Sequence, residues 1–322
     1  MTLLSFVIPC YRSEDTIRKV VKEIDETVLG RDGYDYEAIC VNDGSPDGVL
    51  GVLRALAREN RRVKVIDLAK NMGKESAIMA GYSAVHGQYV VNLDDDFQCP
   101  VNCLWDLLAP VEEDRCDCAT AEYSVKKESR FKIWGSNLNR WMSHIMLGKP
   151  LELRFENFNI LKRFVVDEIL HYKNPYPYLE GLVFRVTDRV LPVPMQERER
   201  GDEKGSGFTL AKSVSQIVNG LTAFSVIPLR VASVIGAVFA LCGFIYGLIT
   251  VIQHFTLPDV PMGYSTIASI LMFSTGLIMC LLGLIGEYLG RIYICINDSP
   301  QYVIRETINL DAEGKEEEKR GE

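Results

Sequence analysis

Two charge-free apolar stretches constrain this chain more than any other feature. "VASVIGAVFALCGFIYGLITVI" runs from Val231 to Ile252, and "STIASILMFSTGLIMCLLGLIG" runs from Ser265 to Gly286. A helix needs about 20 apolar residues to cross the hydrocarbon core of a bilayer, and both stretches reach that length. Two buried helices of a soluble core would share the composition but seldom the length. The linking "QHFTLPDVPMGY" has no Lys or Arg, whereas Arg230 precedes the first stretch and Arg291, Arg305, Lys315, Lys319 and Arg320 follow the second. Basic residues favour the cytoplasmic side. The expectation is a two-span protein of the inner (plasma) membrane, with its N-terminal domain and C-terminus in the cytoplasm. Glu287 and Arg291, four residues apart, are spaced to pair on one helix face.

The first 120 residues follow a different rule. "LLSFVIP" is a short apolar run stopped by Pro9, and "TIRKVVKEIDETVL" has helical spacing. "YEAICVNDGS", "VKVIDLAKN" and "QYVVNL" are further strands, separated by "VLGVLRALAREN" and by "KESAIMAGYSAVHG", a helix closed by Gly87. Such alternation predicts an α/β fold with a parallel sheet covered on both faces. Ligands bind such sheets at the carboxyl ends of the strands. Three strand ends carry Tyr11-Arg12-Ser13-Glu14, Asn42-Asp43-Gly44-Ser45 and Asp94-Asp95-Asp96, so polar groups converge on one rim. Three adjacent carboxylates repel unless a cation or water offsets them, which suits either a metal seat or a solvated loop. Asp43 fits a base or ribose contact equally with a turn cap. Asn71, Gly73 and Lys74 stand at a strand-to-helix turn, where a helix N-terminus favours anions.

The middle of the chain is mixed. "YSVKKESRFKIWGSNLNRW" reads as a solvated helix face or as a phosphate clamp. "NPYPY", from Asn174 to Tyr178, forbids regular helix. "RERGDEKGSG", from Arg198 to Gly207, is a charged loop and candidate lid. "FTLAKSVSQIVNGLTAF" suits an interfacial amphipathic helix or a core helix. The domains expected are 1–207, a cytoplasmic α/β domain; 208–227, the interface helix; 228–292, the membrane hairpin; and 293–322, a cytoplasmic tail ending in a disordered "DAEGKEEEKRGE". The net charge of -8 argues weakly against a nucleic-acid partner. Nine cysteines without a C-x-x-C pair read as reduced thiols, and the four histidines show no metal-ligand spacing. "MTLLSFVIPCY" lacks a basic leader and reads as a first strand, not a signal peptide.

Taken in order, these segments resemble the family 2 glycosyltransferases, which have a Rossmann-like, nucleotide-sugar-binding fold of the GT-A type. "FVIPCYRSEDTI" looks like that family's V-I-P-x-Y-N-E opening, and "VNDGSPDG" like its D-D-G-S-x-D segment. "NMGKESAIMAGYSAVHGQYVVNLDDDFQCP" resembles its N-x-G block running into D-x-D-x-Q-x-P. "LTAFSVIPLR", the apolar pair and "IGEYLGRIY" resemble the polyprenyl-phosphate branch, which includes dolichol-phosphate mannose synthases and bactoprenol glucosyltransferases. The resemblance covers the chain to about residue 305. It implies an inverting transfer of a sugar from a UDP- or GDP-sugar to polyprenyl (undecaprenyl) phosphate, for envelope glycan or lipid modification, by a homo-oligomer using Mg²⁺ or Mn²⁺. By it, Asp94 and Asp96 take the D-x-D roles, with Gln98 placing the metal or diphosphate. Pro9, Tyr11, Glu14, Asp43, Asn71, Lys74 and Asp95 join the nucleotide-sugar site. Arg200, counted as catalytic with Asp94 and Asp96, reaches the diphosphate with Arg198 from the lid loop, which includes Ser206, and Lys126, Arg130 and Lys132 face the lipid phosphate.

The chain departs from the family pattern at three places. Arg12-Ser13-Glu14 replaces Asn-Glu, and the lid reads "RGDEKGSGF", with Phe208 for the usual Tyr. In "ENFNIL", Asn157 stands where relatives carry an Asp proposed as a base, and Asn159 where they carry an Arg. Asn cannot be a general base, but a phosphate monoester carries about -1.5 to -2 charge near neutrality and can attack unaided. Two other readings remain at this level. A polysaccharide synthase would show Q-x-x-R-W, where this chain has Gln196 followed by "ERER". A catalytically inactive assembly subunit is suggested by the changes at Asn157, Asn159 and Phe208.

Overall fold

A computed structural model describes residues 1–123, 153–196, 198, 264–296 and 300–310, with 229, 232, 234–236, 238, 239, 241 and 245. The chain divides into two compact units, Met1–Gly207 with Asp298–Glu322, and Phe208–Asn297.

The first unit is built on strands β1 (Thr2–Cys10), β2 (Tyr34–Asn42), β3 (Val63–Leu68), β4 (Tyr89–Asn92), β5 (Cys118–Tyr123), β6 (Asn159–Lys162), β7 (Val190–Met195) and β8 (Ile304–Ile308). They form one sheet in the order β7-β5-β6-β4-β1-β2-β3-β8. The parallel sheet expected is present at its centre, where β4, β1, β2 and β3 all run the same way. The sheet as a whole is mixed, because β6 lies antiparallel to β4 and β5, and β8 antiparallel to β3.

Helices cover both faces. Ile17, Val20, Val21, Ile24 and Val28 recur at helical spacing on α1 (Ile17–Leu29) and are its buried residues. They share one cluster with Leu4, Phe6, Ile8 and Cys10 of β1, Leu53 of α2 (Val49–Glu59) and Leu107 of α4 (Leu104–Glu112). The alternate β1 residues face α3 (Lys74–Tyr82). There Gly81 lies so close to the sheet that a Cβ would stand 2.4 Å from a Val7 methyl. Two short helices, α5 (Arg163–Ile169) and α6 (Leu179–Val186), follow among the described residues.

Two local expectations need correction. Pro9 does not stop β1, which runs on to Cys10. β4 pairs only with Leu4–Val7, so the missing Pro9 N–H falls beyond that ladder and costs no bond there. α3 ends at Tyr82, not at Gly87. Gly87 instead lets the backbone approach β1, its N–H donating to Ser5 Oγ at 2.7 Å.

The segment read as a tail returns to the sheet. β8 pairs Ile308 with Val65 and Thr307 with Ile66. Asn309 donates to the Ala57 and Val63 carbonyls at 2.7 and 2.9 Å. Buried Gln301 donates to the Tyr172 and Asn174 carbonyls, both at 2.7 Å, and so ties down the irregular "NPYPY" loop.

In the second unit, α7 (Tyr264–Ile296) is 33 residues long and contains the second apolar stretch. Ile267, Leu271, Met279 and Leu282 are exposed on it. Some of its side chains, those of Glu287 and Arg291 included, lie outside the described set, as does most of the first stretch. Among the described residues no helix is long and apolar enough to cross a membrane. The interface helix at 208–227, the lid residues Arg200 and Ser206, and Lys126, Arg130 and Lys132 also lie outside the described residues.

Candidate functional site

The four parallel strands end together, and three connecting segments lock onto one another there. The loop after β1 crosses to both neighbours. The Tyr11 N–H donates to Asp95 Oδ2 at 2.9 Å, and the Arg12 N–H to Ser45 Oγ at 2.8 Å. Arg12 adopts left-handed backbone, φ 59°, and so does Phe97, φ 63°. Such conformations cost about 1 kcal/mol or more and tend to gather at functional sites. Glu14 is held lower down, accepting the Gly48 N–H at the start of α2 at 2.9 Å. A carboxylate at that helix end is favourably placed.

Asp43 braces the next segment. Its buried carboxylate accepts the Met72 N–H at 2.6 Å and the Gly73 N–H at 3.0 Å. Burial pushes its pKa up, and these two donors oppose the rise. Gly44, φ 56°, lets the two loops touch, since a Cβ there would stand 2.4 Å from the Asn71 nitrogen. The loop leading into α3 is therefore fixed, with Asn71 and Lys74 exposed at its ends.

The three aspartates after β4 have three different environments. Asp94 accepts from Lys74 Nζ at Oδ1, 2.5 Å, and from Asn157 Nδ2 at Oδ2, 2.9 Å. Asp95 turns toward β1 and holds Tyr11. Asp96 accepts the Gln98 N–H at 3.1 Å. Asn157 reaches this place because β6 runs antiparallel to β4, with Asn159 opposite Asn92, so the residues just before β6 arrive at the β4 carboxyl end. Asn159 is fully buried and bonds Asn92 at 2.7 Å and the Glu156 carbonyl at 2.8 Å. It is a framework residue in this fold.

Burial, then the adjacent Asp94 and Asp96 charges, push the Asp95 carboxyl above its usual range. The ionised form is thus disfavoured on folding, and stability contributed by protonation is lost as pH rises through the raised pKa. Asp95→Asn is expected to raise the thermal midpoint of the metal-free protein at pH 7. The gain should fade as pH falls; a gain growing toward acid would contradict this.

Tyr11, Asp43, Asp94, Asp95 and Asp96 lie on this rim, where the strand-end reading puts them, and Asn71, Lys74 and Gln98 lie beside them. Pro9 is buried one step beneath it. Arg198 sits behind the rim. It pairs with Glu23 at 2.5 Å, donates to Asn102 at 2.8 Å and lies over the Phe97 ring at 5.0 Å. Its own N–H donates to the Gln98 carbonyl at 3.2 Å. Sequence reasoning missed the Asn157–Asp94 bond and the role of Glu75, which accepts the Leu179 N–H at 3.0 Å and whose pKa burial pushes up. Asn157 was visible only as a departure from the family pattern.

Among the described residues no group of three or more His, Cys, Asp or Glu side chains is placed to hold a metal ion. Asp94 and Asp96 are hard oxygen donors, and an ammonium already rests on Asp94. That donor set fits Mg²⁺ or Mn²⁺, which bind through one or two carboxylates and take further oxygens from substrate phosphates.

In an open α/β sheet, a polar rim at the carboxyl ends of the strands is where ligands bind. The chain is a member of glycosyl transferase family 2, whose model matches residues 5–170. The model of the GtrB C-terminal hairpin matches residues 227–292. Similar proteins include the putative glycosyltransferase CsbB of Bacillus subtilis (strain 168), 30% identical over 94% of this chain and 92% of that one. The undecaprenyl-phosphate 4-deoxy-4-formamido-L-arabinose transferase of Edwardsiella ictaluri (strain 93-146) is 28% identical over 98% and 97%. The prophage bactoprenol glucosyl transferase homolog of Escherichia coli (strain K12) is 28% identical over 94% and 98%.

Proposed function

We propose that the protein moves a sugar from a UDP- or GDP-sugar to a polyprenyl phosphate at the cytoplasmic face of a membrane, inverting the anomeric centre. The observation that carries this reading is the gathering of Asp94, Asp96 and Lys74 at one strand-end rim. It is supported by relatives named for undecaprenyl-phosphate and bactoprenol sugar transfer. The hairpin match at residues 227–292 supports two membrane crossings that would bring the domain to a lipid acceptor.

The rim residues divide the work. Tyr11 and Asp43 border the nucleoside, and Lys74 faces the diphosphate. Asp94 and Asp96 would hold Mg²⁺ or Mn²⁺, which when bound would supply charge stabilisation to a departing nucleotide. The acceptor phosphate is already anionic, so Asn157 need not remove a proton. The chain's task is to hold two anions in line, which is positioning and electrostatics. The intact Asp94–Gln98 segment supports catalysis over an inactive assembly subunit.

The test is transfer by the purified full-length protein in detergent, with undecaprenyl phosphate, Mg²⁺ or Mn²⁺ and a panel of UDP- and GDP-sugars, read by mass spectrometry. One lipid-phosphate sugar is expected. Neither product nor nucleotide-sugar binding with any donor would move the assignment to an inactive subunit.

A further inference from the structure

Both carboxylate oxygens of Asp94 accept a side-chain hydrogen bond before any substrate is considered. Lys74 occupies Oδ1 and Asn157 occupies Oδ2. The Lys74 side chain is 39% exposed and that of Asp94 22%, so the pair can open to solvent. The backbone around Lys74 cannot follow, because Asp43 holds the two preceding N–H groups. A movable ammonium on a fixed loop thus sits where a metal ion would need its carboxylate. Asn157 supplies Asp94 Oδ2 with a neutral donor. An Asp at that position would set a second carboxylate against the first.

We propose that Lys74 is the resident counter-ion of Asp94, and that a divalent ion gains this carboxylate only by displacing it, with Asn157 as the positioning residue that keeps Asp94 oriented through the exchange. The inference rests on the metal role proposed above and deepens it. A displaced ammonium needs a new anion, and a nucleoside diphosphate supplies one. Metal and nucleotide then bind with mutual assistance, and the assistance is reciprocal. Without the nucleotide, a metal ion must compete with Lys74 for the Asp94 carboxylate.

The experiment is Mn²⁺ titration of the full-length protein in detergent, by calorimetry and by the electron paramagnetic resonance signal of free Mn²⁺, alone and with UDP or GDP. No sugar donor or lipid is present, so the readout is independent of transfer. The wild type should bind Mn²⁺ about tenfold more tightly with the nucleotide than without it, within the usual range of coupling between sites. Lys74→Met should bind Mn²⁺ alone more tightly than the wild type and lose most of the nucleotide effect. Lys74→Gln, which keeps chain length and a polar end, should change both in the same direction and serves if Lys74→Met fails to fold. Lys74→Arg should restore the coupling. Asn157→Ala should weaken Mn²⁺ binding with and without nucleotide by a similar factor. Unchanged or weaker binding of Mn²⁺ alone by both neutral Lys74 variants overturns the proposal. Failure of the wild type to bind either nucleotide would count against the proposed function, while the Mn²⁺-only comparison would still decide the Lys74 exchange.

Discussion

Asp96→Ala is expected to reduce sugar transfer by about a thousandfold, and excess chelator should do the same to the unaltered protein. A metal ion on a departing diphosphate contributes several kcal/mol of charge stabilisation, and each 1.36 kcal/mol is tenfold in rate. Asp96 stands two residues from Asp94 in the pair of carboxylates that would hold the ion, so its loss leaves one of the two. The defect should appear in kcat, because stabilising a leaving group acts in the transition state. Initial rates over a range of Mg²⁺ concentrations check this. Full activity in excess chelator would remove the metal from the mechanism.

Asp43→Ala should have the second largest effect, and it should strike binding and stability together. The substitution removes the acceptor of two backbone N–H groups, those of Met72 and Gly73. Leaving a buried donor unsatisfied costs about 1–3 kcal/mol each. Relief of the buried charge offsets part of that loss, since burial already pushes this carboxyl up. The loop carrying Asn71 and Lys74 would lose its brace, so affinity for the nucleotide should fall about tenfold or more. Asp43→Asn keeps one acceptor oxygen and should lie between. Thermal unfolding and nucleotide titration on the same preparations check both effects. Normal nucleotide affinity in a destabilised Asp43→Ala protein would make Asp43 a structural residue alone.

The central strands and the rim were legible because they are written locally. Apolar runs mark β1 to β4, helical spacing marks α1 and α2, and chemistry appears where each strand ends. What joins the rim was not legible. Asn157 and Asp94 are 63 residues apart, and their contact depends on β6 returning antiparallel beside β4. Arg198 lies in a charged run that suggests a diphosphate contact, yet its partner Glu23 is 175 residues away on α1. β8 was hidden for another reason. "IRETI" is short and polar enough to pass for tail, and only pairing with β3 makes it a strand.

That last strand bears on how the chain is made. β3 emerges from the ribosome early, and its outer row of N–H and C=O groups has no strand beside it until residues 304–308 follow the long apolar helix. An open strand flank invites pairing with other chains. Throughout synthesis the nascent domain must carry that exposed flank, and a product truncated before β8 would keep it. Completion of the sheet thus reports that the segment after the helix has been synthesised, so a prematurely terminated chain is marked by its own sticky margin.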